Sequence, residues 1–436
     1  MATALSLEHA RHEVAVRARA CPPVYEAPER CDRLYAAEPI HAPIGLPRDA
    51  TSRRDGYALH SADTVRAGAD TPVSLAVIGT VTAGDSSPPP PAPAPGQAVR
   101  IMTGALLPLG TDTVLAFEEL EYNAGAGAVT VCAPAPPGRW VRTPGSEITC
   151  GELLLNDGLA VGPAQIAVAT ALGIEAMPVH RRPRIAVVAI GSELAAAGAP
   201  LPPGHLYNDA ATLLCAHLHR LGAETRCGEP VEDTVTAIQT RLREALQDGV
   251  DLVITTGGTG DGDKDLSATV LSQMTGPAVF RGVAIRPGGG TALFDCDGIP
   301  CFALPGAPSA AAMAFDLLVR PAVRILLGAA QTHNPLVAAT LVDTGYEDRP
   351  TCRERAGGAG PPGLIRVERA RVSAAGAVVS ARVVRHRNVY RELSESNALW
   401  VRGAEAREAE AGTSIELELV APITLEEYYR AVSTSG

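Results

Sequence analysis

Lysine is almost missing from this chain: Lys264 is the only one among 37 Lys and Arg side chains in 436 residues. Aromatic residues make up only 4% of the sequence. The arginines form no dense run interleaved with aromatic side chains, which would be typical of a surface that follows a nucleic-acid backbone. Since the formal net charge is also -11, the sequence predicts no nucleic-acid partner.

Long apolar runs are missing as well. No stretch approaches the roughly 20 apolar residues that span a bilayer, and charges interrupt the N-terminal apolar residues every few positions. The nine cysteines include no CxxC pair and no Cys/His cluster at zinc spacing. The sequence therefore predicts a soluble, cytoplasmic protein with no membrane partner, with reduced thiols and without a structural metal.

The length suffices for roughly three domains of about 150 residues each. In the middle third, strand and helix patterns alternate strictly, which predicts an open parallel sheet with right-handed crossovers. Predicted strands lie in 184–191, 225–231, 251–258 and 278–290, predicted helices lie in 206–224 and 266–274, and a final strand, turn and helix fall within 297–323. Asp233 is the predicted N-cap of a further helix that buries Val235, Ile238, Leu242 and Leu246.

The flanking regions have a different pattern. Residues 49–140 carry short apolar runs separated by Gly and Pro, including SSPPPPAPAPG at 86–96, which predicts a β-rich domain with an extended surface loop. From about residue 330, the segments LVAATLVD, GAVVSARVV and TSIELELV predict a small C-terminal β unit. GGAGPPG at 357–363 is the expected loop of that unit.

The stretch TTGGTGDGDKD, residues 255–265, closes the apolar run VDLVI and precedes the helix LSATVL. Glycines between a strand and a helix N-terminus predict an anion cradle, because exposed N–H groups and the helix dipole both favour negative charge. Asp261, Asp263 and Asp265 would repel a bare phosphate, so they indicate a divalent cation such as Mg²⁺. Lys264 would add a positive donor. The alternative is a tight turn with solvated charges.

Further candidates follow the other predicted strands. Glu193 follows the first strand and Asp233 the second; a lone acid there is more often a helix cap, but acids at successive carboxyl ends of one sheet predict a site. Arg286 in AIRPGGG and the turn LPGAP at 304–308 are expected at the ends of the last strands. Arginine suits phosphate or carboxylate recognition, and a surface arginine is the alternative. No GxSxG elbow is present, and no cysteine stands out as a nucleophile.

Several segments, taken in the order in which they occur along almost the whole chain, resemble a known family. This family is the molybdopterin molybdotransferases, the MoeA and gephyrin E-domain group. The glycine loop is similar to the family's T-T-G-G-T-G-x-x-x-x-D, which related adenylyltransferases share. The other segments that carry the likeness are DGYAL (55–59), GQAVRIMTGALLPLGTDTVLAFEE (96–119), PGSEI (144–148), IGSEL (190–194), RPGGG (286–290), LPGAP (304–308) and SESNALWV (394–401).

The resemblance implies an α/β multidomain fold with four parts. These are an elongated linker domain (1–48 with 141–181), a β-rich DGYA lid domain (49–140), a MogA-like, doubly wound parallel-sheet domain that binds molybdopterin and nucleotide (182–329), and a C-terminal β domain (330–436). It also implies a homodimer, with the site between the sheet domain of one subunit and the DGYA domain of the other. Molybdopterin adenylyltransferase and apo-molybdoenzymes are the further partners implied.

The implied activity is Mg²⁺-dependent insertion of molybdate into adenylylated molybdopterin with release of AMP. Carried over residue by residue, the catalytic positions are Asp55, Glu193, Asp233 and Asp265, and the metal ligands are Glu147, Glu193 and Asp265. The implied cofactor-binding positions are Gly257, Gly258, Thr259, Gly260, Lys264, Arg286, Pro305, Gly306 and Ser309.

The chain departs from the family pattern at several positions. Arg54 replaces a methionine, Pro144 an arginine, Glu147 an aspartate, Gly289 the second lysine of K-P-G-K-P, and Ala307 the asparagine of P-G-N-P. These departures keep one alternative open, a diverged homologue acting on another nucleotide-linked or oxyanion substrate. Two further alternatives are a non-catalytic dimeric scaffold, for which gephyrin relatives are the precedent, and a pyridine-nucleotide amidohydrolase that shares the glycine-loop domain.

Overall fold

The computed structural model describes residues 4–84, 92–123, 125–258, 266–343, 363–375, 378–385, 388–403 and 409–425. Six predicted site residues lie outside these ranges: Thr259, Gly260, Asp261, Asp263, Lys264 and Asp265. Most of the proline-rich segment and of GGAGPPG lies outside them as well. Within the described ranges, no helix combines the length and the apolar character needed to cross a bilayer.

The N-terminal part, up to residue 180, is mostly short strands. Its elements are α1 (Leu7–Arg17), β1 (Pro23–Glu26), β2 (Ile40–His41), β3 (Thr51–Ser52), β4 (Gly56–Leu59), β5 (Val73–Val81), β6 (Gln97–Ile101), β7 (Thr113–Ala116), β8 (Glu121–Asn123), β9 (Ala128–Val131), β10 (Val141–Arg142), β11 (Leu153–Leu155), α2 (Pro163–Ala171) and β12 (Met177–His180). A six-stranded sheet of order β7-β4-β6-β5-β9-β8 buries Leu75 and Val129 in one cluster and Val99 and Ile101 in another. The sheet lies within residues 49–140, so the β-rich fold predicted for that segment is confirmed.

The middle region alternates strands and helices, as predicted. Its elements are β13 (Arg184–Ala189), β14 (Leu194–Ala195), β15 (Leu206–Tyr207), α3 (Asp209–Leu221), β16 (Glu224–Cys227), α4 (Val235–Gln247), β17 (Leu252–Thr256), α5 (Leu266–Thr275), β18 (Phe280–Arg281), β19 (Ile285–Arg286), β20 (Ala292–Cys296), β21 (Ile299–Leu304), α6 (Pro308–Ala314), a π-helical turn (Phe315–Val319) and α7 (Arg320–Leu326). Helices cover both faces of the sheet: α1, α3, α6 and α7 contribute to one core and α4 and α5 to the other. The doubly wound fold is confirmed.

The central sheet has the order β16-β13-β17-β21-β20-β18. Its first four strands are parallel, but β20 is antiparallel to β21 and β18 is antiparallel to β20. The strict alternation therefore did not extend to this edge. The reason is local: Asp297 and Gly298 both have positive φ, 52° and 86°, and join β20 to β21 as a two-residue hairpin. Asp-Gly is a favoured pair for such turns because their twist matches that of the flanking strands.

The cysteine prediction is wrong at one pair. Cys215 on the buried face of α3 and Cys227 at the end of β16 form a disulfide. They meet because α3 packs against the adjacent strand after a short turn at Gly222, whose φ is +92°. Among the described cysteines, Cys21, Cys31, Cys132, Cys150, Cys296 and Cys301 are free.

The C-terminal region closes into a small β-barrel. Its elements are β22 (Leu336–Asp343), β23 (Ile365–Ala375), β24 (Val378–Val383), α8 (Val389–Glu395), β25 (Ala398–Arg402), β26 (Ser414–Leu419) and β27 (Thr424–Leu425). The order β23-β24-β22-β26-β25 closes because β25 also pairs with β23. The predicted segment 278–290 is not one strand: β18 joins the central sheet, whereas β19 pairs with β23 of the barrel. Gly282, with a φ of +81°, lies at the bend between them.

Candidate functional site

Three parallel strands end at one point, and their backbones approach closely there. Gly257, after β17, has a φ of +88°, and a Cβ at this position would lie 2.1 Å from the carbonyl oxygen of Ile190, after β13. Gly306, after β21, is so near that its Cβ would lie 3.1 Å from the Cα of Gly257. Only glycine fits at position 257, because the φ and the contact both exclude a side chain.

Gly258 continues this turn with a φ of +65°, and a Cβ there would lie 3.4 Å from the backbone nitrogen of Ser267, near the start of α5. Gly258 therefore lies close to the N-terminus of α5, whereas residues 259–265 of the glycine loop lie outside the described ranges. The side-chain hydroxyl of Thr256 donates to the carbonyl of Pro305 at 3.0 Å. Gly257, Gly258, Pro305 and Gly306 are thus brought together at the carboxyl edge of the sheet.

A cavity of about 690 Å³ opens at this edge. Most of its walls are apolar, but two carboxylates, those of Glu193 and Asp209, also line it. The remaining lining residues are Ile190, Leu194, Leu201, Leu206, Tyr207, Asn208, Ala210, Thr256, Gly257, Gly306, Ala307, Pro308 and Tyr390. Apolar walls with a few placed polar groups are typical of a site for a small organic ligand.

Glu193 is placed at the cavity by the turn after β13. The backbone N–H of Leu194 donates to the carbonyl of Gly191 at 3.1 Å, and that of Leu206 donates to the carbonyl of Glu193 at 2.9 Å. The side chain folds back over Gly191: a Cβ at position 191 would lie 2.8 and 2.9 Å from the two carboxylate oxygens. Glu193 itself remains exposed, so its carboxylate faces the cavity side of the sheet and is accessible to a ligand.

The prediction that Asp233 is the N-cap of α4 is wrong. Thr234 is the N-cap, and its side chain accepts from the N–H of Ala237. Asp233 pairs with Ser192 instead. The N–H of Ser192 donates to the Asp233 carboxylate at 2.9 Å, and the N–H of Asp233 donates to the Ser192 hydroxyl oxygen at 3.1 Å. This reciprocal pair joins the loops after β13 and β16 beside Glu193.

The RPGGG loop packs against α6. A Cβ on Gly288 would lie 3.3 Å from the carbonyl oxygen of Ala310 and 3.4 Å from the backbone nitrogen of Ala314. Arg286 is exposed, but it lies on β19 opposite Arg366 of the barrel rather than at the end of a central strand, and it does not line the cavity. Ser309 is half-buried in the first turn of α6 and does not line it either.

Asp55 lies on a different sheet, directly before β4 of the β-rich region. It is exposed, and its carboxylate accepts from both the N–H and the hydroxyl of Thr103, at 2.7 and 2.8 Å. These hydrogen bonds hold the pKa of Asp55 below its usual range, because they stabilise the charged form. The neighbouring Arg54 stacks over the Trp140 ring, 4.8 Å from its centroid, which accounts for an arginine at a position where the family has methionine.

Replacing Thr103 with Val is expected to raise the pKa of Asp55 towards its ordinary value, because one of its two donors is lost. The acidic limit of Asp55 ionisation then moves to higher pH; an NMR titration of the carboxyl group measures it. Thr149→Val is the matched control, since it removes a similar hydrogen bond, from the Thr149 hydroxyl to Glu152. It should leave the pKa of Asp55 unchanged. An unchanged Asp55 pKa in Thr103→Val would show that the backbone N–H alone sets it.

Glu147 is exposed in the loop before β11, with Arg142 Nε 3.6 Å from its carboxylate. Within the described ranges, no group of three His, Cys, Asp or Glu side chains is close enough to hold a metal. Asp265 lies outside these ranges, so the ligand set of Glu147, Glu193 and Asp265 stays a prediction.

Asp209 and Tyr390 are among the cavity residues that were not predicted. Asp209 begins α3, and the LYND sequence before that helix was the available signal. Tyr390 belongs to α8 of the barrel region, and its hydroxyl donates to Asp209 at 2.5 Å across 181 positions of sequence. No local pattern predicts that contact.

Two family models match the chain. Residues 5–173 match the MoeA N-terminal region (domain I and II), and residues 186–325 match a probable molybdopterin binding domain. A molybdopterin molybdenumtransferase of Staphylococcus aureus (strain MRSA252) is 30% identical over 409 residues, 93% of each chain.

A second relative and a solved structure are also similar to this chain. Molybdopterin molybdenumtransferase 2 of Mycobacterium tuberculosis (strain ATCC 25618 / H37Rv) is 32% identical over 345 residues, which is 77% of this chain and 83% of that protein. The crystal structure of a molybdopterin biosynthesis MoeA protein from Pyrococcus horikosii is similar with a TM-score of 0.78 at 27% identity, over 96% of this chain and 100% of that one.

Proposed function

Because the chain belongs to the molybdopterin molybdenumtransferase family, we propose that it inserts molybdate into adenylylated molybdopterin and releases AMP. The observation that carries the proposal is that the glycine cradle, formed by Gly257 and Gly258, borders the cavity at the ends of β13, β17 and β21. The cradle suits a pyrophosphate, and the adjoining apolar cavity suits a flat organic group.

The residues of this chain would act at the anhydride bond between the two phosphates. Water adds to a phosphorus atom, the anhydride P–O bond breaks, and AMP leaves. Glu193 is placed to accept the proton of the attacking water, since its carboxylate is exposed at the cavity. The backbone N–H of Gly258 would stabilise the charge on the phosphate oxygens, whereas that of Gly257 donates to the carbonyl of Leu304 at 3.3 Å and holds the turn in place.

We infer that Mg²⁺ is required, and the donor chemistry fits. Glu193 and Asp233 are exposed carboxylates after the neighbouring parallel strands β13 and β16, and Mg²⁺ prefers oxygen ligands. A full site needs a further carboxylate, for which we propose Asp265, outside the described residues. When bound, Mg²⁺ would neutralise pyrophosphate charge and polarise a phosphoryl oxygen.

We also propose a homodimer in which the Asp55 surface of one subunit completes the cavity of the other. Two features support it. Asp55 is exposed and kept ionised by Thr103, and it lies on a sheet whose apolar cores are separate from those of the central sheet. Mixing an inactive Asp55→Asn protein with an inactive Glu193→Gln protein is expected to restore part of the activity, because each mixed dimer keeps one intact site.

The test of the function is AMP release from adenylylated molybdopterin, with Mg²⁺, molybdate and an apo-molybdoenzyme that reports active cofactor. We expect AMP release and reporter activity, both requiring molybdate and both abolished by a Mg²⁺ chelator. The control omits only molybdate. Release of AMP without reporter activation would contradict molybdenum insertion.

A diverged substrate is the second candidate, and one contact favours it. A Cβ at Gly289, where the family pattern has lysine, would lie 2.6 Å from the carbonyl oxygen of Ile285 and 3.0 Å from that of Val283. The loop of this chain is therefore built too tightly for that lysine, so a positive group of the family's anion site is replaced by backbone. Absence of AMP release, with retained binding of another nucleotide-linked ligand, would select this alternative.

A further inference from the structure

One side chain of the barrel region reaches the cavity. Tyr390 lies in α8, and α8 packs against α6 beside the cavity. Its hydroxyl donates to the Oδ2 atom of Asp209 at 2.5 Å, yet 60% of the residue is exposed. The hydroxyl is thus fixed while the ring face stays open to the cavity.

Asp209 is held from two sides. As the first residue of α3 it lies where the helix dipole favours a negative charge, and Tyr390 binds one of its two oxygens. The hydrogen bond to the Asp209 carboxylate raises the pKa of Tyr390, so the hydroxyl remains a donor at neutral pH. The carboxylate therefore keeps one orientation at the cavity wall, next to the exposed ring of Tyr207.

We propose that Asp209 binds the 2-amino-4-oxo-pyrimidine edge of a pterin, and that Tyr390 is the positioning residue that orients it. That edge presents an amino group and a ring N–H side by side, two donors matched by one carboxylate. The corresponding edge of adenine presents one donor and one acceptor, which a carboxylate does not match. The C-terminal barrel thereby contributes to substrate recognition.

The flat heterocycle then lies in the apolar part of the cavity. Leu194, Leu206 and Pro308 supply apolar surface, and the exposed rings of Tyr207 and Tyr390 supply flat faces on which an aromatic ligand packs favourably. The glycine cradle at Gly257 borders the same cavity, so the phosphate end of one ligand and its ring end would have separate places. This inference deepens the proposed function and rests on it.

The test measures binding of three probes to the full chain: pterin, lumazine, which has an oxygen in place of the 2-amino group, and AMP. Fluorescence titration is expected to show pterin binding that Asp209→Asn weakens by about tenfold or more, because a charge-assisted hydrogen-bond pair is lost. Tyr390→Phe is expected to weaken it less, by roughly threefold, since only the orientation of the carboxylate is lost. Lumazine keeps only the ring N–H of the two donors, so its binding should be weaker, and Asp209→Asn should weaken it less than it weakens pterin binding.

Tyr25→Phe is the matched control, because Tyr25 is 72% exposed on β1, away from the cavity. It should bind pterin as the unaltered chain does. Melting temperatures of all three variants report folding. In the transfer assay, Tyr390→Phe should raise KM for adenylylated molybdopterin and leave kcat nearly unchanged, which a general loss of structure would not do.

The outcomes separate this inference from the function it rests on. Pterin binding that depends on Asp209, in a chain that releases no AMP, would keep the binding assignment and overturn the transferase proposal. Normal transfer by Asp209→Asn and Tyr390→Phe, with unchanged pterin affinity, would overturn the assignment alone. If Asp209→Asn weakened AMP and pterin binding equally, Asp209 would not recognise the pyrimidine edge of the pterin.

Discussion

Glu193→Gln is expected to lower the rate of AMP release by about 100-fold or more, as loss of a general base does, without a change in melting temperature. The carboxylate is exposed and lines the cavity, so the amide has no packing or buried charge to disturb. Gln keeps the shape of the side chain but accepts no proton and binds a cation weakly. Molybdate-dependent AMP release and thermal melting of the same preparation measure the two effects.

The position of the carboxylate can be tested separately from its charge. Gly191→Ala keeps Glu193 but places a methyl group 2.8 Å from its Oε2 atom, so the side chain must move, and a comparable loss of rate is expected. Glu175→Gln, an exposed substitution between α2 and β12, is the control and should be without effect. An unimpaired rate in Glu193→Gln would remove Glu193 from the reaction.

Local sequence pattern was enough for the centre of the fold. β13 and β17 are buried on both faces, so they are continuous apolar runs in the sequence, which is typical of parallel strands between helices. The antiparallel edge was missed although its signal was present. Asp297-Gly298 is a hairpin sequence, but the surrounding alternation was interpreted as one more parallel strand.

The barrel shows where sequence pattern fails. β22, β24 and β26 were predicted from their apolar segments, whereas β23 was missed because IRVERARVSAA contains four charged residues. Charges in such a run usually indicate a solvated surface, yet Arg369 is only 7% exposed here. Burial of this residue depends on closure of the barrel by β25, a long-range pairing that no local pattern encodes.

The site divides in the same way. The glycine loop and Glu193 follow strands directly, and the carboxyl edge of a parallel sheet collects such residues whatever the rest of the fold. The prediction that Arg286 lies at this edge is wrong, because its strand, β19, pairs with β23 of the barrel instead. Asp209 and Tyr390 meet only after the barrel packs on the central region, so their role follows from tertiary structure alone.

Gly257→Ala is expected to have the largest effect on stability. The Cβ would lie 2.1 Å from the Ile190 carbonyl oxygen, and the residue has a φ of +88°. The left-handed conformation and the overpacking together cost about 3 kcal/mol or more. Because the obstructing atom belongs to the backbone, relief requires β13 and β17 to separate at their ends, which also opens the anion cradle.

Two measurements check this expectation. Hydrogen exchange of the Ile190 amide, which donates to the Thr256 carbonyl at 2.9 Å, should accelerate, and transfer activity should be lost. Gly249→Ala is the matched control, because Gly249 also has a positive φ, +68°, but a Cβ there meets nothing within 4 Å. It should show only the backbone strain, about 1–2 kcal/mol, and keep the activity. If both variants behaved alike, the strand-end contact at Gly257 would have no energetic role, and the cradle would depend on loop conformation alone.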